Sequence, residues 1–179
     1  MMQDIEKVLI PEEELQAKIR ELGAILTEEY KDKNPIFLGI LKGVVVFFAD
    51  MIRAVPIKCQ MDLIAVSSYG SGTTSSGKIK MEKDLSLDIE GRHVVILEDI
   101  IDSGNTLSHT IEYLKSKNPA SLKICTLLDK PARRKVELEA DYTGFTVPDE
   151  FLVGYGLDYA EQYRNLPCIG ILKRSVYEK

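Results

Sequence analysis

Three acidic residues followed by a small polar turn form the most chemically distinctive stretch of the sequence. From residue 94 to residue 107 it reads Val-Val-Ile-Leu-Glu-Asp-Ile-Ile-Asp-Ser-Gly-Asn-Thr-Leu. Carboxylates at this spacing could bind sugar hydroxyls or a divalent cation, or stabilise a carbon that becomes positive during reaction. A small turn leading into a helix leaves backbone N–H groups free to bind a phosphate. A sugar phosphate with Mg²⁺ suits both parts, whereas a merely solvated acidic turn leaves the mutual repulsion of the acids uncompensated.

A strand, a turn and a helix must position these groups. The four apolar residues 94–97 are too few for a helix and follow Gly91, which predicts a strand buried on both faces. Apolar residues then recur at helical spacing across 107–114, and Ser103 or Asn105 could cap that helix. The turn 102–106, called the phosphate turn, therefore joins a central strand to a helix.

The common nucleotide-binding loops are absent from the sequence after this strand. Neither Gly-x-Gly-x-x-Gly nor Gly-Lys-Ser/Thr occurs there, which disfavours dinucleotide and P-loop chemistry. The turn 102–106 is short and suits one phosphate. The whole stretch 94–107 resembles the phosphoribosyl-pyrophosphate signature of the type I phosphoribosyltransferases.

A second strand–turn–helix junction lies upstream. The apolar run 36–41 predicts a buried strand, Lys42 and Gly43 follow it, and 44–55 is a strongly apolar helix candidate. A cation at the same edge of the sheet is what a pyrophosphate-bearing substrate requires. The junction resembles the family's pyrophosphate loop, in which the peptide before the Lys can be cis.

The segment 67–83 is predicted to be a flexible loop of the active site. It begins with a run of hydroxyl residues and glycines that cannot pack a core, and its end, from Lys78, could pair back as a ribbon. A passive linker is the alternative to a lid that excludes water from a cation-like sugar. Ser68 and Tyr69 resemble the dipeptide of the family's flexible loop.

The fold class predicted is α/β. A helix is expected from Pro11 to about Tyr30, and the units 36–66 and 93–128 each read as strand–helix–strand, which favours a parallel sheet. The resemblance implies the type I phosphoribosyltransferase fold, a central parallel sheet flanked by helices with a small hood subdomain over the carboxyl ends of the strands. We expect a single domain over 1–179.

The last third of the sequence suggests a base-binding pocket. A strand over 121–128 leads to Lys130, and the basic run 133–135 is expected to form a solvated face. The glycine- and aromatic-rich segment 147–159 suggests irregular backbone with an exposed ring at Phe151. Together these resemble the purine pocket of the hypoxanthine-guanine members of the family.

The resemblance implies transfer of the 5-phosphoribosyl group from phosphoribosyl pyrophosphate to N9 of a 6-oxopurine, giving IMP or GMP. The implied catalytic residues are Asp102, which would take the purine's proton, and Glu98 and Asp99, which would hold the ribose hydroxyls. The implied phosphoribosyl-pyrophosphate-binding residues are Lys42, Gly43, Ser103, Gly104, Asn105, Thr106 and Arg164. The implied purine-binding residues are Lys130, Phe151, Leu152 and Asp158. Glu98, Asp99 and Asp158 would ligate Mg²⁺.

Composition narrows the partners and the compartment. The net charge of −5 disfavours a general nucleic-acid-binding surface. No signal peptide or apolar span is apparent, and the three cysteines are far apart, so we expect a cytoplasmic protein without a membrane partner. The resemblance also implies that the chain forms a homodimer or a homotetramer. Two alternatives stay open: a phosphoribosyltransferase for xanthine, adenine or a pyrimidine, and an RNA-binding regulator that keeps the ligand site.

Overall fold

The computed structural model describes residues 1–68 and 79–178. In chain order the strands are β1 (Ile5–Ile10), β2 (Ile36–Leu41), β3 (Gln60–Ser68), β4 (Ile79–Lys83), β5 (His93–Ile101), β6 (Ser121–Asp129), β7 (Tyr142–Thr146), β8 (Leu152–Val153) and β9 (Ile169–Leu172). The helices are α1 (Glu12–Tyr30), α2 (Val45–Ala54), α3 (Asn105–Lys115) and α4 (Arg174–Tyr177), with 3₁₀ turns at Met2–Asp4 and Pro131–Arg133.

The large sheet has the strand order β4-β3-β2-β5-β6-β7. Its strands are parallel apart from the edge strand β4, which pairs antiparallel with β3. Helix α2 leads from β2 outward to β3, and α3 leads from β5 outward to β6 in the opposite direction. The neighbours β2 and β5 therefore form a topological switch point, where α/β sheets open a crevice for ligands at the carboxyl ends of their strands.

Helices cover both faces of this sheet because its central strands are apolar on both sides. In β5, Val95 and Leu97 pack with α1 and α2, whereas Val94 and Ile96 pack with α3. All four side chains are fully buried. Burial on both faces fixes the strand, and with it the positions of Glu98 and Asp99 near its carboxyl end.

The small sheet combines both ends of the described chain in the order β1-β9-β8. β9 pairs antiparallel with β1 and with β8, and Ile5 lies opposite Leu172. β8 begins at Leu152, in the segment predicted to bind the base. This sheet is the hood expected from the resemblance, although no pattern in the sequence indicated that β1 belongs to it.

The predicted central elements are confirmed, with ends that agree within two residues except in β5, which continues four residues beyond the predicted end at 97. The predicted ribbon is also confirmed, because residues 79–83 of the expected loop form β4 and 67–68 belong to β3. Tyr69 and the rest of 69–78, together with the side chain of Ser68, lie outside the described residues. In the part of the chain that the structure describes, no helix is long and apolar enough to cross a membrane.

Candidate active site

A cavity of about 650 Å³ opens at the carboxyl edge of the large sheet, between the ends of β2, β5 and β6 and the small sheet. Nine of the residues singled out in the sequence line it: Lys42, Gly43, Asp99, Asp102, Lys130, Phe151, Leu152, Asp158 and Arg164. Residues from three strand ends and from the hood thus meet around one space. We refer to it below as the large cavity.

A second cavity, of about 180 Å³, lies at the start of α3. It is lined by Glu98, Ser103, Gly104 and Thr106 together with apolar neighbours. Asn105, the first residue of α3, belongs to the same turn. Ile100 and Asp102 line both cavities, so Asp102 stands where the two meet.

The phosphate turn is built on a left-handed glycine. Gly104 is the N-cap residue of α3 with φ of 81°, a conformation that favours glycine. A Cβ there would also come within 2.9 Å of Val136 Cγ2. The prediction that Ser103 or Asn105 caps the helix is therefore wrong, although the Asn105 N–H donates to Ser103 Oγ at 3.4 Å. The turn needs a glycine because it reverses sharply into the helix while leaving its N–H groups open.

The two adjacent acids at the end of β5 are held in surroundings that disfavour their charged forms. Burial raises the pKa of Glu98 well above its usual range, and the charge of Asp99 and a hydrogen bond with it raise that pKa further. Burial also raises the pKa of Asp99 to about 6, against the lowering effects of backbone N–H donors, of Glu98 and of the Arg164 charge. A cation placed beside this pair would restore the ionised forms.

The loop after β2 packs directly onto one of these acids. A Cβ on Gly43 would lie 1.8 Å from Asp99 Oδ2, so only glycine lets the loop approach the carboxylate. A Cβ on Gly156 would in turn lie 1.9 Å from the carbonyl oxygen of Gly43. The peptide bond between Leu41 and Lys42 is cis, the form that the resemblance allowed. The predicted pyrophosphate loop is thus sandwiched between β5 and the segment after β8.

An ion-pair network joins four charged residues: Lys42, Asp158, Glu161 and Arg164. Arg164 Nη2 lies 2.9 Å from Asp158 Oδ1 and 3.5 Å from Glu161 Oε1, and its Nη1 donates to the Gly156 carbonyl at 2.7 Å. Lys42 Nζ reaches Glu161 Oε2 at 3.1 Å. Glu161 did not stand out in the sequence, where it is one acid among many and lies 119 residues from Lys42. The Glu161 carboxylate therefore lies between the Lys42 ammonium and the Arg164 guanidinium.

Lys130 is the most buried of the predicted base-binding polar residues, with 6% of its surface exposed. Its Nζ donates to the Glu150 carbonyl at 2.9 Å and lies 3.9 Å from Asp102 Oδ2. The Lys130 N–H donates to the Ile101 carbonyl at 3.0 Å, which fixes the end of β6 against the end of β5. Lys130 lines the large cavity, and its ammonium group is held between the Glu150 carbonyl and the carboxylate of Asp102.

The basic run 133–135 was expected to form a solvated face, and for Arg134 this is wrong. Its side chain, 15% exposed, lies behind the phosphate turn and pairs with the Asp129 carboxylate. Its Nε donates to the Asp102 carbonyl at 3.2 Å and its Nη2 to the Ile101 carbonyl at 3.5 Å. The guanidinium group holds the backbone on which Asp102 is carried. The buried position of Arg134 was missed because a run of three basic residues does not show which of them the fold buries.

Arg134→Ala should lower the free energy of unfolding by about 3 kcal/mol, because it leaves Asp129 as a largely buried, unpaired charge. Arg133→Ala is the matched control, since Arg133 pairs with Asp149 across surfaces that are 59% and 49% exposed. That change should cost less than about 1 kcal/mol. Urea unfolding of both variants measures the difference. Equal losses would show that the buried guanidinium does not hold the turn.

Comparison with known proteins agrees with this geometry. The family description "Phosphoribosyl transferase domain" matches residues 11–160. A hypoxanthine-guanine phosphoribosyltransferase of Bacillus subtilis is 57% identical, over 99% of each chain. A hypoxanthine phosphoribosyltransferase of Staphylococcus aureus superposes with a TM-score of 0.97 at 49% identity, over 100% of this chain and 97% of that one.

A longer relative is matched over a part of its length. The chain is 58% identical to a bifunctional protein TilS/HprT of Listeria monocytogenes over 179 residues, which span 28% of that protein. The full-length match to the Bacillus subtilis relative and the match of the domain family to most of the chain decide the assignment. The chain belongs to the type I phosphoribosyltransferase family, among the hypoxanthine-guanine phosphoribosyltransferases.

Proposed function

We propose that this chain transfers the 5-phosphoribosyl group from phosphoribosyl pyrophosphate to N9 of hypoxanthine or guanine. Pyrophosphate leaves, and IMP or GMP is the product. The observation that carries the proposal is the position of Asp102 at the meeting point of the two cavities. One cavity has a helix N-terminus suited to a phosphate, and the other has Lys130 and an aromatic ring suited to a base.

The small cavity is proposed to bind the 5′-phosphate. Residues Ser103 to Thr106 present backbone N–H groups at the positive end of α3, which attracts an anion. Where animal relatives carry Lys in this loop, the chain has Asn105, so binding here rests on the backbone and the helix end. The phosphate end of the substrate is thereby fixed relative to the carboxylates of β5.

Glu98 and Asp99 are proposed to hold the ribose hydroxyls, either directly or through Mg²⁺. Glu98 Oε2 is buried and has no hydrogen-bond partner among the residues that the structure describes. A buried oxygen in that condition is suited to a ligand, since an unpaired polar atom is otherwise costly. As positive charge develops on the anomeric carbon, these carboxylates stabilise the transition state more than the ground state.

The carboxylates fit Mg²⁺ as a substrate-borne ion. Within 1–68 and 79–178, no cluster of three or more His, Cys, Asp or Glu side chains could hold a metal by itself. Mg²⁺ typically takes one or two carboxylates and completes its shell with substrate phosphates and water. Glu98 and Asp99 would hold one ion beside the ribose, and Asp158 would hold a second ion, which would neutralise charge on the leaving pyrophosphate. Lys42 and Arg164 flank the same region of the large cavity.

Asp102 and Lys130 are proposed to act on the base. Asp102 would accept the proton from the imidazole edge of the purine as the new bond to N9 forms, and Lys130 would donate to the 6-oxo group. Phe151 would stack on the ring, and the backbone carbonyls at Leu152 and Asp158 would accept from N1–H and the 2-amino group. The homodimer or homotetramer expected from the resemblance stays a prediction.

The test is pyrophosphate release from phosphoribosyl pyrophosphate with hypoxanthine, guanine, xanthine or adenine, in Mg²⁺ and in EDTA. We expect release with hypoxanthine and guanine in Mg²⁺, loss of release in EDTA, and recovery with Mg²⁺ or Mn²⁺, because every candidate ligand is a hard oxygen. Release confined to xanthine or adenine would replace the proposed substrate. Full turnover in EDTA would remove the metal assignment while leaving the transfer reaction in place.

A further inference from the structure

The C-terminal turn of the described chain reaches the large cavity. Arg174, Tyr177 and Glu178, which lie in or next to α4, line it together with Lys130 and Phe151. The motifs singled out in the sequence end before this turn, and nothing in its short sequence suggested a role. The structure nevertheless places this C-terminal turn at one end of the large cavity, in which the base is proposed to lie.

Three aromatic rings meet at this end of the cavity. The rings of Phe151 and Tyr177 are stacked, with centroids 4.7 Å apart and planes inclined by 26°. Tyr159 meets Phe151 edge-on at 5.6 Å and 87°, and it meets Tyr177 at 6.4 Å and 64°. The quadrupoles of aromatic rings favour these offset-stacked and edge-to-face arrangements. Phe151 is therefore held by one ring along its face and by another at its edge.

The turn that carries Tyr177 is tied to the sheet and to the other end of the chain. The Leu172 N–H donates to the Phe151 carbonyl at 2.8 Å, only five residues before Tyr177. The Lys173 N–H donates to the Asp4 carbonyl at 2.9 Å, and Lys173 Nζ donates to the Gln3 carbonyl at 2.6 Å. These bonds define where α4 begins. The position of the Tyr177 ring follows from the fold of the small sheet.

We propose that Tyr177 is a positioning residue of the base site, which fixes the ring of Phe151 in the plane on which a purine stacks. The inference rests on the proposed function, because it takes Phe151 as the stacking residue. Stacking of a base on an aromatic side chain depends on parallel faces, so a phenyl ring free to turn about its side-chain bonds binds a base less well. Loss of the Tyr177 ring should therefore weaken binding of the base and leave binding of phosphoribosyl pyrophosphate unchanged.

The test compares Tyr177→Ala and Tyr177→Leu, which remove the ring, with Tyr177→Phe, which keeps it. Loss of the ring should raise the KM for hypoxanthine about 3- to 10-fold, the range expected for one aromatic pair. The KM for phosphoribosyl pyrophosphate and kcat should change less than twofold, and Tyr177→Phe should restore the hypoxanthine KM. Calorimetric titration with IMP should show the same order of affinities without turnover.

Val176→Ala is the matched control within the same turn. Val176 packs against the small-sheet cluster of Ile5, Val153 and Leu172, so this change should lower the unfolding temperature and leave the hypoxanthine KM unaltered. An unchanged hypoxanthine KM in both ring-deleted variants would overturn the proposal. So would a lowered KM, which would mean that the Tyr177 ring competes with the base. Native protein that transfers to no 6-oxopurine would instead refute the proposed function itself.

Discussion

Asp102→Asn is expected to lower kcat about 10²- to 10⁴-fold, the range for loss of a general base. The amide keeps the size and much of the polarity of the carboxylate, but it cannot take the proton released as N9 forms its new bond. The Asp102 side chain is 46% exposed and lines the large cavity, and its Oδ2 lies 3.9 Å from Lys130 Nζ. The carboxylate is therefore available to the base, and the substitution removes a function more than a structural contact.

Binding of phosphoribosyl pyrophosphate should survive this substitution. The phosphate turn keeps its backbone N–H groups, and Arg134 bonds the carbonyl of residue 102, which the change leaves intact. The KM for phosphoribosyl pyrophosphate should stay within a few-fold of the native value. Asp88→Asn serves as the control, because Asp88 precedes β5 and caps a local turn through the Glu90 N–H. Steady-state kinetics decide: an unreduced kcat in Asp102→Asn would mean that water or another group takes the proton.

Adenine is expected to be rejected by about 10⁴-fold in kcat/KM relative to hypoxanthine, as in sites that pair a substrate's polar edge. Lys130 offers only donors; the residue is 6% exposed, and its Nζ lies 3.9 Å from Asp102 Oδ2. Hypoxanthine presents its 6-oxo acceptor to that group and a protonated N1 to a backbone carbonyl. Adenine presents an amino donor and an unprotonated nitrogen at the same places. Each unpaired buried group costs about 1–3 kcal/mol.

Lys130→Ala should lower the ratio of kcat/KM for hypoxanthine to kcat/KM for adenine by about 10- to 100-fold. The reason is that the mismatch between the adenine amino group and the Lys130 ammonium disappears. Lys123→Ala is the matched control, since Lys123 lies toward the other end of β6 and pairs with Asp141 at 2.8 Å. It should leave the ratio of kcat/KM values unaltered. Initial rates with both bases give the ratio for each variant. Comparable kcat/KM values for adenine and hypoxanthine in the native protein would refute the assignment of Lys130 to the base.

The parts of the site that could be predicted from sequence are those made by neighbours in the chain. The stretch 94–107 carries its strand, acids, turn and helix in one run, so the pattern of residue types sufficed to place them. Parallel strands bring their carboxyl ends to one edge, which is why the junction at Lys42 could be assigned to the same edge, whereas Lys130 was assigned from the resemblance. The role of each residue in that site stays a prediction.

The parts that could not be predicted depend on contacts between distant residues. β1 was missed because its pairing partner β9 lies at the far end of the chain, and only two of its six residues, Ile5 and Ile10, are buried. Arg134 reads as one of several charges until the fold places it behind Asp102. The pairing of Lys42 with Glu161 likewise follows from the loop after β8 folding over the β2 loop. Local patterns carry no information on such partners.

The antiparallel pairing of Ile5 with Leu172 has a consequence for engineering the chain. Because β1 and β9 are neighbours, a short linker between them would allow circular permutation, with new ends opened at the Asn118–Pro119 turn after α3. The pairing of highest sequence separation in the small sheet would then become a hairpin, which lowers contact order and favours faster folding. The small sheet would then form from one local unit instead of from two distant ends of the chain.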